Sequence, residues 1–241
     1  MTSEIEQPAA VGRPPAPPVP WRWTDALLVL LLSVLGAALL QPLVGALRLG
    51  VYGEALMLLL IAALTGVLTW TVARRRYGDQ VRLLLGHRRP TGRDVVAGLG
   101  AAVVGALGVS AIVYLLTLGG RPPDVQQQLR DAASNPATLP FMALAAVVVV
   151  PIAEELLYRG MLFQALRTRL GRWPAIGLSG FVFGLLHAQG TLEGTLLLLA
   201  AFYPFGMWLA WLFDRRGTLV ASIVCHMAYN GANLALFLSG R

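Results

Sequence analysis

The sequence predicts an all-α fold, a polytopic transmembrane bundle of about seven spans whose last four form one core. Three observations predict it. Of 241 residues, 56% are hydrophobic and 13% charged, with a mean hydropathy of +0.67, whereas soluble domains are about a quarter charged. Apolar stretches recur at roughly the 20 residues a helix needs to cross a bilayer. Arginine collects between alternate stretches, as cytoplasmic loops do in membrane proteins. Every basic residue is arginine, and the net charge is +7. Its placement between spans answers to membrane topology, so no nucleic-acid partner is expected. A single cysteine, Cys225, excludes an intramolecular disulfide and a cysteine metal site. It reads as a small packing residue.

Residues 1–20 are rich in Pro and Ala and lack the basic-then-apolar pattern of a signal peptide. They read as a disordered cytoplasmic tail. Residues 21–139 hold the amino-terminal spans and loops. Trp21 and Trp23 stand where interfacial aromatic anchors belong. Span 1 covers about Thr24 to Leu47 and span 2 about Tyr52 to Val72. A basic loop follows with Arg74, Arg75, Arg76, Arg82, Arg88, Arg89 and Arg93, placing it in the cytoplasm beside the lipid head groups. His87 within it reads as a solvated loop residue. Span 3 runs from about Val95 to Leu118. The polar segment 119–139 then falls on the outer side.

Residues 140–238 form the core. Span 4 begins near Pro140 and continues to about Leu170, longer than a bilayer is thick, so its end should protrude inward. Pro151 should kink it and free a carbonyl. Gly171 and Pro174 mark a break and restart. Span 5, about Pro174 to Ala188, carries His187. Span 6, about Leu192 to Phe213, contains Pro204. Asp214, Arg215 and Arg216 make an inner loop, and span 7, about Thr218 to Leu238, carries His226 and Asn230. This alternation puts the amino terminus inside. No internal repeat is visible.

Few strongly polar groups lie in the core spans: Glu154, Glu155, Arg159, His187, His226 and Asn230. A charge in hydrocarbon costs several kcal/mol unless paired or solvated. Counted at 1.5 Å per residue, Glu154, His187, His226 and Asn230 lie about 12 to 20 Å from the inner face. Shared depth on different helices suggests one buried, wet site. Glu155 and Arg159 are four apart and can pair; a helix staple explains them equally well. Phe183 and His187 repeat that spacing, which sets a ring beside the imidazole, though Phe183 reads first as packing. His226 and Asn230 repeat it again. Singly, each histidine and Asn230 reads as interhelical glue; together they read as a site. Gly160, Gly184 and Gly231 read as close-packing positions. A carboxylate and an imidazole can deprotonate water, and an imidazole and an amide can donate to an oxyanion. That division fits amide hydrolysis. Zinc held by Glu154, His187 and His226 is the alternative, without any H-E-x-x-H pattern to support zincin chemistry.

In order, Glu154-Glu155-Leu-Leu-Tyr-Arg159, Phe183-Gly-Leu-Leu-His187 and His226-Met-Ala-Tyr-Asn230 resemble the three polar motifs of the CPBP intramembrane protease family. That family takes in the Rce1-type CAAX prenyl endopeptidases, the Abi proteins and some bacteriocin self-immunity proteins. The resemblance implies a four-helix catalytic core opening to the cytoplasm, with Glu154 and His187 activating water, His226 and Asn230 stabilising the oxyanion, and Glu155, Arg159 and Phe183 in support. It implies either a glutamate-type or a metal-dependent endopeptidase acting on a membrane-associated, CAAX-type protein that enters from the bilayer. The competing readings are a non-enzymatic immunity or scaffold protein and a proton-coupled transporter. Transport would favour repeated broken helices.

Overall fold

The structure is a computed structural model that describes residues 19–50, 52–118, 131, 133–187 and 191–239. The tail read at residues 1–18, most of the outer loop at 119–130 and the end of span 5 at Ala188 lie outside the described residues. The described residues are almost entirely helical. They form α1 (Trp23–Ala46), α2 (Tyr52–Tyr77), α3 (Gly92–Thr117), α4 (Leu139–Leu170), α5 (Arg172–Leu185), α6 (Leu192–Arg216) and α7 (Leu219–Ser239). A 3₁₀ segment, Gly78–Leu85, follows α2. Six of these helices are long and apolar enough to cross a membrane. The seventh, α5, has 14 residues and reaches only about 21 Å, short of the ~30 Å hydrocarbon layer.

Small residues set which helices touch. A Cβ on Gly36 of α1 would lie 2.2 Å from Leu64 Cδ2 of α2. One on Gly98 of α3 would lie 2.6 Å from the Ala221 carbonyl of α7. Helices α5 and α6 cross at Gly180, Gly184 and Gly206: a Cβ on Gly180 would meet the Met207 nitrogen at 2.7 Å, and one on Gly206 the Gly180 Cα at 3.0 Å. Gly160 of α4 is equally tight, 2.8 Å from the Leu84 carbonyl, whereas Gly231 meets Val147 at an ordinary 3.5 Å. Without a hydrophobic drive between helices in lipid, such close approaches supply the packing. The outward faces carry large apolar side chains, Leu39, Leu43, Val96, Leu107 and Leu236 among them, which lipid would cover.

The arginine-rich end is stitched by three acids, of which the buried pair Asp25 and Asp94 was passed over in the sequence reading. Asp25, in the first turn of α1, binds Arg76 and Tyr77 at the end of α2. Asp94, in the first turn of α3, takes the Thr91 N–H (2.8 Å), Arg88, and Arg216 of α6 (2.7 Å). Asp214 joins Arg167 of α4 and Arg172 of α5, each at 3.0 Å. Acids at helix starts also meet the positive end of the helix dipole. His87 is half-buried rather than solvated, and its main-chain N–H donates to the Gly217 carbonyl at 3.0 Å.

Helix α4 carries the acidic motif and is not a uniform α-helix. It widens to π-helical turns at Leu144–Val149 and at Leu156–Phe163, a distortion that accompanies function often enough to mark a site. Its arginine-rich end does not protrude bare. Residues 161–166 are buried, and Gln164 Nε2 donates to the Leu83 carbonyl of the 3₁₀ segment at 2.9 Å. The segment after α2 wraps the overhang that the helix length produces.

Candidate active site

The π-turn before Pro151 explains the first site contact. The Val150 N–H bonds to Ala145, and Pro151 has no N–H to offer. The Ala146 carbonyl is thereby left to a side chain. Asn230 Nδ2 of α7 donates to it at 2.8 Å. The proline thus frees a carbonyl as expected, and the amide read as an oxyanion donor spends one hydrogen there. An amide nitrogen carries a second.

Two turns further along α4, Glu154 and Glu155 point at one imidazole. His226 Nδ1 lies 3.1 Å from Glu155 Oε1, and His226 Nε2 lies 3.7 Å from Glu154 Oε2. Glu155 and His226 are buried, while the Glu154 side chain keeps 21% exposure. Glu155 Oε1 also accepts from Arg159 Nη1 at 2.8 Å. Arg159, completely buried, donates through Nη2 to the Gly206 carbonyl of α6 at 3.0 Å and lies 4.6 Å from the Phe183 ring centroid. The Glu155–Arg159 pair is therefore a staple between α4 and α6 and, at the same time, the orienter of His226. Among the described residues, Glu154 Oε2 and Glu155 Oε2 are buried with no hydrogen-bond partner. A buried carboxylate oxygen normally finds one.

His187 sits one residue beyond the cap of α5, its N–H on the Gly184 carbonyl at 3.1 Å. Its Nδ1 meets the Phe183 carbonyl at 2.7 Å. A carbonyl only accepts, so Nδ1 holds the proton and Nε2 presents its lone pair. The ring stacks on Phe202 (4.2 Å, 26°) and leans on Phe183 (4.6 Å). Phe183 also stands edge-on to His226 at 5.8 Å. One phenylalanine thus separates and levels the two imidazoles. Glu154, His226 and Glu155 are in direct register; His187 joins them across Phe183; Asn230 meets α4 two turns away.

Glu154, His187 and His226 are not gathered as a three-ligand set: no cluster of three His, Cys, Asp or Glu side chains placed to hold a metal occurs among the described residues. Cys225, one residue from His226, is buried and free.

The sequence reading missed Phe202, Phe205 and the Gly206 carbonyl. Phe205 stands 5.6 Å from His226 and stacks on Tyr229 at 4.1 Å. Their signal was a pair of phenylalanines three apart on α6, the helical spacing of one face. It carried no charge and so did not stand out in an apolar helix.

Residues 136–232 match the family described as type II CAAX prenyl endopeptidase Rce1-like. Human "CAAX prenyl protease 2" is 31% identical over 97 residues, 34% of this chain and 30% of that protein. "Putative membrane peptidase YdiL" of Bacillus subtilis (strain 168) is 27% identical over 135 residues, 56% of this chain and 52% of that protein. The chain thus spans 30% and 52% of the length of these two relatives. No solved structure matches it significantly. The matched segment contains Glu154, Glu155, Arg159, His187, His226 and Asn230, so this part of the helical membrane bundle is similar to the Rce1-like family of type II CAAX prenyl endopeptidases.

Proposed function

We propose that the chain is an intramembrane endopeptidase that hydrolyses a peptide bond of a membrane-associated protein of the CAAX type, with water as the nucleophile. One observation carries the reading: a half-sheltered carboxylate, Glu154, faces the free nitrogen of an imidazole at 3.7 Å, a separation suited to a bridging water, and that imidazole is held from behind by a second, fully buried carboxylate.

The roles follow from the hydrogen bonds. Glu154 is acceptor-only when ionised and can take a proton from water. His187, with Nδ1–H fixed on a carbonyl, offers Nε2 as a second acceptor on the water's side. His226, with Nδ1 on Glu155, takes at Nε2 the proton that Glu154 removes from the water and donates it to the carbonyl oxygen as the tetrahedral intermediate forms. Asn230 supports it with its remaining N–H. The Glu155–Arg159 pair holds His226 in one tautomer and orientation, as an acid behind a catalytic histidine does elsewhere. The arginine-rich end supports an amino terminus and a site opening on the cytoplasmic face of a cell membrane. No step requires a metal.

The test compares the carboxyl termini of membrane proteins in cells expressing the wild type and Glu154→Ala. Truncated carboxyl termini should appear only with the wild type, at equal expression of both. Identical termini in the two samples would remove the hydrolytic reading and favour a scaffold or immunity protein. A proton flux lost in Glu154→Ala with termini unchanged would favour transport.

A further inference from the structure

Away from the polar site, a cleft opens between α1 and α2. Helix α1 starts at the arginine-rich end with Asp25, and α2 returns there with Arg76. The turn between them therefore lies at the opposite end of the bundle. The two helices meet near their middles. Thr65 Oγ1 donates to the Ser33 hydroxyl at 3.0 Å, both residues being buried, and Leu64 fills the notch at Gly36. Beyond that contact α2 stays with α4 instead, through Ala55 against Met142 and the Tyr52 ring edge-on to Phe141 at 6.2 Å. The gap left against α1 is a cleft of about 670 Å³. Its walls near the contact are apolar, with Ala37 and Ala38 on α1 and Met57 and Ile61 on α2. Its mouth is polar. Gln41 follows Ala38 by three positions on α1, and Glu54 precedes Met57 by three on α2, so each amide or acid shares the face of its apolar neighbour. Arg48, just past the end of α1, lines the mouth with a φ of +50°, in the left-handed region that turns the chain off the helix. Arg48 is exposed and Glu54 half-buried, and neither side chain has an ion-pair partner among the described residues. Two opposite charges that line one mouth without pairing leave each open to the complementary charge of a ligand.

We propose that this cleft binds one zwitterionic phospholipid with a primary amine in its head group, a phosphatidylethanolamine. Its phosphate sits on Arg48, its ammonium on Glu54, and an acyl chain lies between the apolar walls. Charge and order select this occupant. A guanidinium fork matches phosphate oxygens. A primary ammonium has three N–H groups to give a carboxylate, and the Gln41 amide can donate to an ester carbonyl. Charged mouth, amide and apolar slot thus follow one another as head group, ester and chain do in the lipid. A wholly anionic lipid would set a negative charge against Glu54 with no cation to meet it, and a quaternary amine has no N–H to offer. Occupancy would also fix α2 where it touches the acidic motif: a Cβ on Gly66 would lie 3.6 Å from Ala153, the residue before Glu154. The inference stands on geometry independent of the proteolytic reading.

Native mass spectrometry of the full chain in detergent tests it, with the dioleoyl forms of phosphatidylethanolamine, phosphatidylcholine and phosphatidylglycerol in competition. Phosphatidylethanolamine should be retained over both others. Arg48→Gln should weaken all three about fivefold, because each carries the phosphate. Glu54→Gln should remove the preference for phosphatidylethanolamine over phosphatidylglycerol. Gly45→Leu should abolish retention, because Gly45 lines the cleft and a Cβ there meets nothing within 4 Å, so the longer side chain enters the space. Gly108→Leu, equally unobstructed but off the cleft, should bind as the wild type does. Equal retention of the three lipids, or the wild-type preference in Glu54→Gln or Gly45→Leu, would overturn the site. So would a dimer that Gly45→Leu converts to monomer, since the cleft would then be an interface between copies.

Discussion

At the scale of single residues, Glu154 and Glu155 are neighbours with opposite surroundings. Glu155 is completely buried between Arg159 and His226, while Glu154 retains contact with the outside. A buried ion pair loses more when one partner is removed than the pair itself contributes. Glu155→Ala should therefore lower stability by about 3–5 kcal/mol by stranding the Arg159 guanidinium. The double variant Glu155→Ala/Arg159→Met should recover much of that loss. Thermal melting in detergent measures both, and additive losses in the double variant would show that the two side chains do not act as a pair. Glu154→Gln, by contrast, should melt as the wild type does while activity falls by at least about a hundredfold, the usual worth of a general base. The spacing of the acidic motif made the Glu155–Arg159 pair legible in the sequence. That Glu155 also holds His226 was not, since the contact joins residues 71 positions apart.

At the scale of elements, α4 shows how one proline shapes a site. Pro151 cannot donate, the turn before it opens to π-helix, and the Ala146 carbonyl passes to Asn230 of α7. Asn230→Leu should then leave a buried carbonyl unsatisfied and cost about 1–3 kcal/mol. The loss should appear as a lower melting temperature even where cleavage is not measured. A variant that loses cleavage with an unchanged melting temperature would assign Asn230 to the chemistry alone. The freed carbonyl before Pro151 was readable because proline's missing N–H is a local fact. The identity of the group that answers it was not, because it belongs to another helix. The same holds for α5: the break at Gly171 bounds it on one side, but its close crossing with α6 at Gly180 and Gly184 joins it to a helix that no local pattern names.

At the scale of the whole molecule, the proposal is a water-based peptidase that needs no metal. Activity in reconstituted membranes should survive treatment with a strong zinc chelator. Loss on chelation, restored by added zinc and not by calcium, would reassign Glu154, His187 and His226 as ligands. Spans, their order and the arginine-rich end follow from the sequence alone, because the cost of burying polar backbone and charge in hydrocarbon acts on each segment separately. The three polar motifs follow too, since each lies within one helix, but the common depth counted from the rise per residue does not hold for Asn230, which meets α4 two turns from Glu154. Only the tertiary structure decides which nitrogen of His226 faces which glutamate, that Phe183 touches both histidines, and that Asp25, Asp94 and Asp214 tie the arginine-rich helix ends together. Those are matters of rotation and crossing between helices, set by glycine contacts and buried hydrogen bonds across long sequence separations, and no local pattern encodes them.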